Sequence, residues 1–225
     1  MKRVVLFAVL TAFIFFFSSC SKPEEIVISK YFKAMSYKDI NTLAGMAIEP
    51  VQLEFKTWKT VSVDPVVKAE YGLPKMLEKF EQLKKDFEAQ KDVYRGKRFD
   101  LEDLKLQLEE ARGKKKTEIQ EKVNAAQVQH DEEQKKMEAL FKQQNDIKTD
   151  IETEKRLITL STDIAQDLEI YSGEVLSTNI TVKVTSKEGN TKEYVFSMKR
   201  YQLQNPQTQK PLHSKYIIER ITLKE

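Results

Sequence analysis

Cys20 is the one cysteine of this 225-residue chain, and it stands directly after the only membrane-like stretch. Lys2 and Arg3 form a charged start, residues 4–17 an apolar run, and Ser18 and Ser19 the small residues before a cleavage point, which is the order of a secretory signal. The apolar run is about 14 residues long, short of the roughly 20 that a spanning helix needs. Other reactive groups are sparse. The two histidines are His130 and His213, and His130 stands three residues before Glu133. One imidazole and one carboxylate fall short of a metal-ligand set. Neither a glycine-rich phosphate loop nor a nucleophile elbow is present. Asp39 is better explained as a helix cap, and Glu54 as the exposed side of a strand, than as acids in a pocket. These residue types argue against an enzyme and against a bound cofactor or metal.

Phe17-Ser18-Ser19-Cys20 resembles the lipobox of bacterial lipoproteins, with Phe17 where that family usually has Leu. The resemblance implies that residues 1–19 are a signal peptide and that Cys20 is lipidated, palmitate-class chains included. Residues 20–23 then form a short lipidated tether. Each buried methylene contributes about 0.8 kcal/mol, so several acyl chains together make release negligible. Ser21, rather than Asp, follows the cysteine. In that family this favours the outer membrane of a two-membrane cell, so the expected location is lipid-anchored and periplasm-facing. An acylated Cys20 leaves no thiol for a disulfide, a nucleophile or a metal site.

Removal of residues 1–19 leaves 206 residues, enough for one or two domains. Without Lys2 and Arg3, 36 basic side chains face 35 acidic ones, a near-neutral balance. Nucleic-acid binding needs a basic surplus to displace counterions, so that partner class is not expected.

Residues 71–169 predict a long antiparallel α-helical hairpin, a coiled coil. Between 73 and 168 there are only Gly96, Gly113 and Pro74 as helix-disfavouring residues. Steps of three and four from Leu73 meet Met76, Phe80, Leu83, Phe87, Gln90, Tyr94, Lys97, Leu101, Leu104, Leu108 and Ala111. That is a period of about 3.5 residues, the spacing of a two-helix seam. A second, weaker ladder runs Ile119, Val123, Ala126, His130, Glu133, Met137, Leu140, Gln144, Ile147, Ile151, Glu154 and Ile158. The reversal is expected at 112–116, where Gly113 suits a left-handed helix end and Thr117 with Gln120 gives a capping-box pattern. Arg112, Lys114, Lys115 and Lys116 then form a cationic tip, suited to the negative end of the first helix and a candidate contact for anionic lipid or polymer. Antiparallel folding brings Lys97 near Glu133, with His130 one layer away, as a polar layer that fixes register. From Ile151 onward the apolar positions broaden, and Ser172-Gly173 is expected to break the helix.

Residues 24–70 and 170–225 read as one split domain. The spacing predicts a helix over 24–37 and a short one from Asp39 to about Gly45. Alternation over 51–63 predicts a strand. After the hairpin, residues 180–185 and 194–198 alternate around the turn signal Glu188-Gly189-Asn190. Residues 215–223 are apolar on both sides and predict a central strand. The fold class expected is α+β, with helices packed on a curved antiparallel sheet and the helical hairpin inserted. Tyr31-Phe32-Lys33-Ala34-Met35, with Lys38-Asp39-Ile40 and Leu43, resembles the opening helices of the NTF2-like/cystatin-like cone of small bacterial lipoproteins. That group carries a short helix where this chain has its hairpin.

A non-catalytic binding or scaffolding role in the cell envelope fits these features best. The hairpin offers a long surface to an envelope protein or polymer, and a homo-oligomer is open to it, although Gln90, Lys97, Glu133 and Gln144 disfavour a fully buried larger bundle. One alternative is a periplasmic adaptor-like part of an efflux or secretion assembly, although the flanking strands lack a glycine-rich lipoyl half-motif. Another is a small-ligand pocket in an NTF2-like cone.

Overall fold

Proline lacks the amide hydrogen that a helix's first turn cannot use. Accordingly, Pro23 opens α1 (Pro23–Ser36) in the computed structural model, which describes residues 22–224. Glu24 and Glu25 in its first turn and Lys33 in its last suit the helix dipole. One face, with Ile28, Tyr31, Phe32, Ala34 and Met35, is buried. A single short helix, α2 (Ile40–Ala44), follows. Its cap is Asp39, which accepts from the Thr42 amide at 3.1 Å.

Five antiparallel strands make one sheet: β1 (Thr57–Val63), β2 (Val67–Glu70), β3 (Ser172–Thr185), β4 (Thr191–Gln204) and β5 (Ile217–Leu223). β3 and β4 pair over their whole length, from Ser172↔Gln204 to Thr185↔Thr191. Gly189, at φ 90°, makes the turn between them. β1 and β2 lie end to end along the other side of β3, and β5 pairs with β4. A bulge interrupts β1 between Thr60 and Ser62.

The α1 face closes over the sheet through aromatic rings. Phe32 stacks on Trp58 at 4.6 Å between centroids and meets Phe55 edge-on at 5.2 Å. Tyr31 meets Phe196 edge-on at 5.9 Å. The Tyr31 hydroxyl donates to the Val51 carbonyl at 3.0 Å and accepts from the Val51 amide at 2.9 Å, and burial raises its pKa. Part of the sheet's opposite side is closed as well. Tyr201, Leu203, Ile217, Leu157 and Ile158 are fully buried, and the Ser161 hydroxyl donates to the Lys215 carbonyl at 2.7 Å.

Two long helices, α3 (Leu73–Glu110) and α4 (Lys114–Thr162), fill most of the span between β2 and β3. Residues Gly72–Lys155 are one compact unit, and the described residues on either side of it make the other. Within the helical unit, every ladder position from Leu73 to Ala111 and from Ile119 to Glu154 is buried or half-buried. Leu101, Ile119 and Val123 form a buried cluster, and Phe87 lies 5.9 Å from Phe141.

Several elements differ from the sequence reading. Only Thr57–Val63 of the expected strand over 51–63 joins the ladder, because Val51 is held by Tyr31 instead. α4 ends at Thr162, where Asp163 turns left-handed (φ 60°), and Leu168 falls in a short 3-10 turn, Leu168–Ile170. Ser172-Gly173 therefore starts β3 and breaks no helix. β5 is an edge strand, not a central one. Its apolar residues divide between the sheet's faces, and the chain at 46–48 covers its outer edge (Ile218 amide to Met46 carbonyl, 2.8 Å; Ile48 amide to Ile218 carbonyl, 3.1 Å).

Two glycines make opposite predictions. A Cβ on Gly173 (φ 146°) would stand 2.1 Å from the Gln202 carbonyl oxygen, whereas one on Gly96, inside α3, meets nothing within 4 Å. Gly173→Ala is expected to lose about 1–3 kcal/mol or more in urea denaturation. Gly96→Ala is expected to gain up to about 1 kcal/mol. Equal midpoints for Gly173→Ala and the parent protein would contradict the close approach.

Candidate functional site

Lysines at the start of a helix sit against the positive end of its dipole. Lys114, Lys115 and Lys116 occupy that place, because α4 already begins at Lys114 and the break is only Ala111–Gly113. They were expected to follow the negative end of the first helix within a longer turn. Thr117 consequently lies inside the helix and caps nothing. Gly113 adopts the left-handed conformation, at φ 58°. Arg112 and the three lysines are exposed, and among the described residues no carboxylate pairs with them. The first turn of α4 carries no acid to offset them. Beside them lies an open groove of about 510 Å³ lined by Gln107, Glu110, Ala111, Arg112, Lys115 and Ile119. Elsewhere on these helices cations are paired at short spacing, as in Lys84–Glu81, Lys91–Glu88 and Arg98–Glu102.

Lys97 acts electrostatically on Glu133, as the spacing predicts, while the hydrogen bonds of both residues go to other partners. Gln90 donates to Glu133 Oε2 at 2.6 Å, and Lys136 donates to Glu133 Oε1 at 2.8 Å. Lys97 reaches Gln129 at 3.1 Å. The His130 ring lies 5.0 Å from that of Tyr94, with Nδ1 at 3.0 Å from Asp131 Oδ1. Lys136 and Gln90 hold the Glu133 carboxyl below its ordinary range. His130 and Gln127 do the same for Asp131. Among the described residues no three His, Cys, Asp or Glu side chains gather as a metal requires.

In the other unit, Asp39 is exposed, and its hydrogen bonds with Thr42 hold its pKa down. Glu54 lines an open groove of about 290 Å³ beside Tyr194 and Lys192. The space between α1 and the sheet is taken by Tyr31, Phe32 and Phe196, which leaves the two acids without a shared enclosure. Nothing in sequence spacing marks another groove, of about 450 Å³, between α1 and β1. Its lining converges only in the fold. The expected lipidation site, Cys20, and the signal over residues 1–19 lie outside the described residues. Among the described residues no helix is long and apolar enough to cross a membrane.

Comparison with family models, with curated proteins and with solved structures found no match for this chain.

Glu133 gives a pH test. Its pKa is lowered from 4.5, so its contribution is present above that value and lost as pH falls through the lowered one. Glu133→Gln should unfold more easily than the parent protein at neutral pH, and the gap should close in acid. Denaturant midpoints across that range check it. A gap that persists below the lowered value would show that the carboxylate's charge is not the cause.

Proposed function

We infer that this chain is a lipid-anchored, non-catalytic binding or scaffolding module of a bacterial cell envelope. In this reading α3 and α4 pair as an antiparallel coiled-coil hairpin, and that hairpin is the partner-binding element. The α1-on-sheet unit is an NTF2-like/cystatin-like domain with a curved sheet. Cys20 carries the lipid, and Arg112, Lys114, Lys115 and Lys116 make the first contact with an envelope protein or polymer.

One observation carries the reading. The heptad positions of both helices are withdrawn from water, while their remaining surface is mainly charged and carries short-range ion pairs, with Val93, Phe99, Leu106, Val128 and Phe141 as its exposed large apolar residues. Helices this polar gain little from packing elsewhere, so a narrow seam between them is the economical arrangement. The Phe87–Phe141 and Tyr94–His130 ring contacts and the Gln90–Glu133 and Lys97–Gln129 hydrogen bonds all descend α4 as they ascend α3. Unpaired cations at the break favour an anionic partner there.

Three measurements test the reading at separate points. Leu101→Ala should cost about 2–5 kcal/mol, and its combination with Val123→Ala should depart from additivity by about 0.5 kcal/mol or more. Strict additivity would remove the seam. Photocrosslinkers placed at Arg112 and Lys115 in cells should capture one envelope component in stoichiometric yield. Absence of any adduct there would sink the tip assignment. Cys20→Ser should move the protein from the membrane to the soluble fraction, and continued membrane retention would refute the anchor.

A further inference from the structure

The groove between α1 and β1 is flanked by a sheet edge that none of the described residues covers. β1 lies at the margin of the sheet, and among the described residues its backbone groups turned away from β3 have no hydrogen-bonded neighbour. β5, at the opposite margin, is covered by the chain at 46–48. An open edge beside a helix is the geometry in which an added strand gains main-chain hydrogen bonds and side-chain contacts together. The groove is lined by Glu25, Ile26, Lys30 and Lys33 from α1 and by Trp58 and Thr60 from β1. Ile26 is 42% exposed, a large apolar side chain facing solvent on the helix wall.

We propose that this groove is a strand-addition site for an extended acidic peptide segment of a partner protein, seated along β1 beneath Lys30 and Lys33. The proposal goes beyond the helical binding surface argued above and rests on different residues.

Charge selects the occupant. Lys30 and Lys33 face the single acid Glu25 in the groove lining, Lys56 and Lys59 lie just before and within β1, and none of the four lysines is ion-paired among the described residues. Some cations elsewhere in the sheet do have acidic partners, as in Lys68–Glu174 at 3.2 Å and Lys199–Glu219 at 2.9 Å. Lys59 stands directly opposite Lys183 in the β1–β3 ladder, and like charges so placed repel. A carboxylate on a strand added at the other side of Lys59 relieves that repulsion. A second copy of this chain is disfavoured by the same charges, because edge-to-edge pairing brings these lysines together. The bulge after Thr60 limits regular pairing to Thr57–Thr60, so the segment recognised is short. Side chains of that segment on the α1 side meet Lys30, Lys33, Trp58 and Ile26, and those on the other side lie beside Lys59, which suits an acidic sequence with apolar residues interspersed.

Trp58 is the only tryptophan in the chain, so its emission reports the groove directly. Detergent-solubilised full-length protein is titrated with a library of acetylated heptapeptides alternating Glu or Asp with Val, Ile or Phe, and with Lys counterparts. Acidic members are expected to give a saturable change in emission. The exposed-surface pair Lys30→Glu/Lys33→Glu should weaken it about tenfold or more. N-methylation of alternate peptide residues should abolish binding in one phase and spare it in the other, a test that needs no variant of the protein. The proposal is overturned if no acidic member produces saturation, if Lys counterparts bind equally well, or if N-methylation leaves binding intact in both phases.

Discussion

The contact between the aromatic face of α1 and the sheet joins parts of the chain that lie far apart in sequence. Phe32 on Trp58 and Tyr31 on Phe196 tie the first helix to β1 and to β4, across the whole helical insertion. Tyr31 adds a two-way hydrogen bond with Val51, which fixes the path of the chain leading into β1. A buried hydroxyl left without partners costs about 1–3 kcal/mol, so this lock also specifies where residue 51 must lie. Loop-closure entropy grows only with the logarithm of length, which is why roughly a hundred residues can stand between β2 and β3 without preventing their pairing.

Much of the fold was legible from spacing alone. The helix over 23–36 and the Asp39 cap follow from local chemistry, and both helical ladders coincide with the least exposed residues. What was not legible has physical causes. α4 stops at Thr162, and the left-handed residue after it is Asp163, so no glycine announces the end. β2 is exposed at all four positions, and Val67-Lys68-Ala69-Glu70 offers too short an alternation to mark a strand. β5 looks central because it is apolar on both sides, yet its edge is covered by a non-strand segment that no pattern in β5 reveals. The lysines at the α1–β1 groove are unremarkable in sequence, since only the fold sets Lys30 and Lys33 beside the margin of the sheet.

Charge is distributed unevenly between paired and unpaired groups. Along α3 and α4, Lys84, Lys91, Arg95, Arg98, Lys136 and Lys148 have carboxylate partners three or four residues away, each pair contributing a few tenths of a kcal/mol. Unmatched cations gather in two places in particular: the break between the long helices, and the open margin of the sheet. They belong to separate compact units, so the chain presents two independent invitations to negative charge although its overall balance is nearly neutral.

The crossing point of the insertion has a structural corollary. The Tyr71 amide donates to the Gly173 carbonyl at 3.0 Å, and the Tyr71 hydroxyl to the Leu168 carbonyl at 2.9 Å, so the last residue before the helical unit is fastened to the start of β3. Gly72–Lys155 is a compact unit of its own, so exchanging it as a block leaves these bonds of the sheet unit in place. The seam of such a transplant is set by burial. Leu157, Ile158 and Ser161 serve the sheet side, so a graft that cuts after Lys155 keeps the recipient's wall intact, whereas one that cuts after Thr162 strips it.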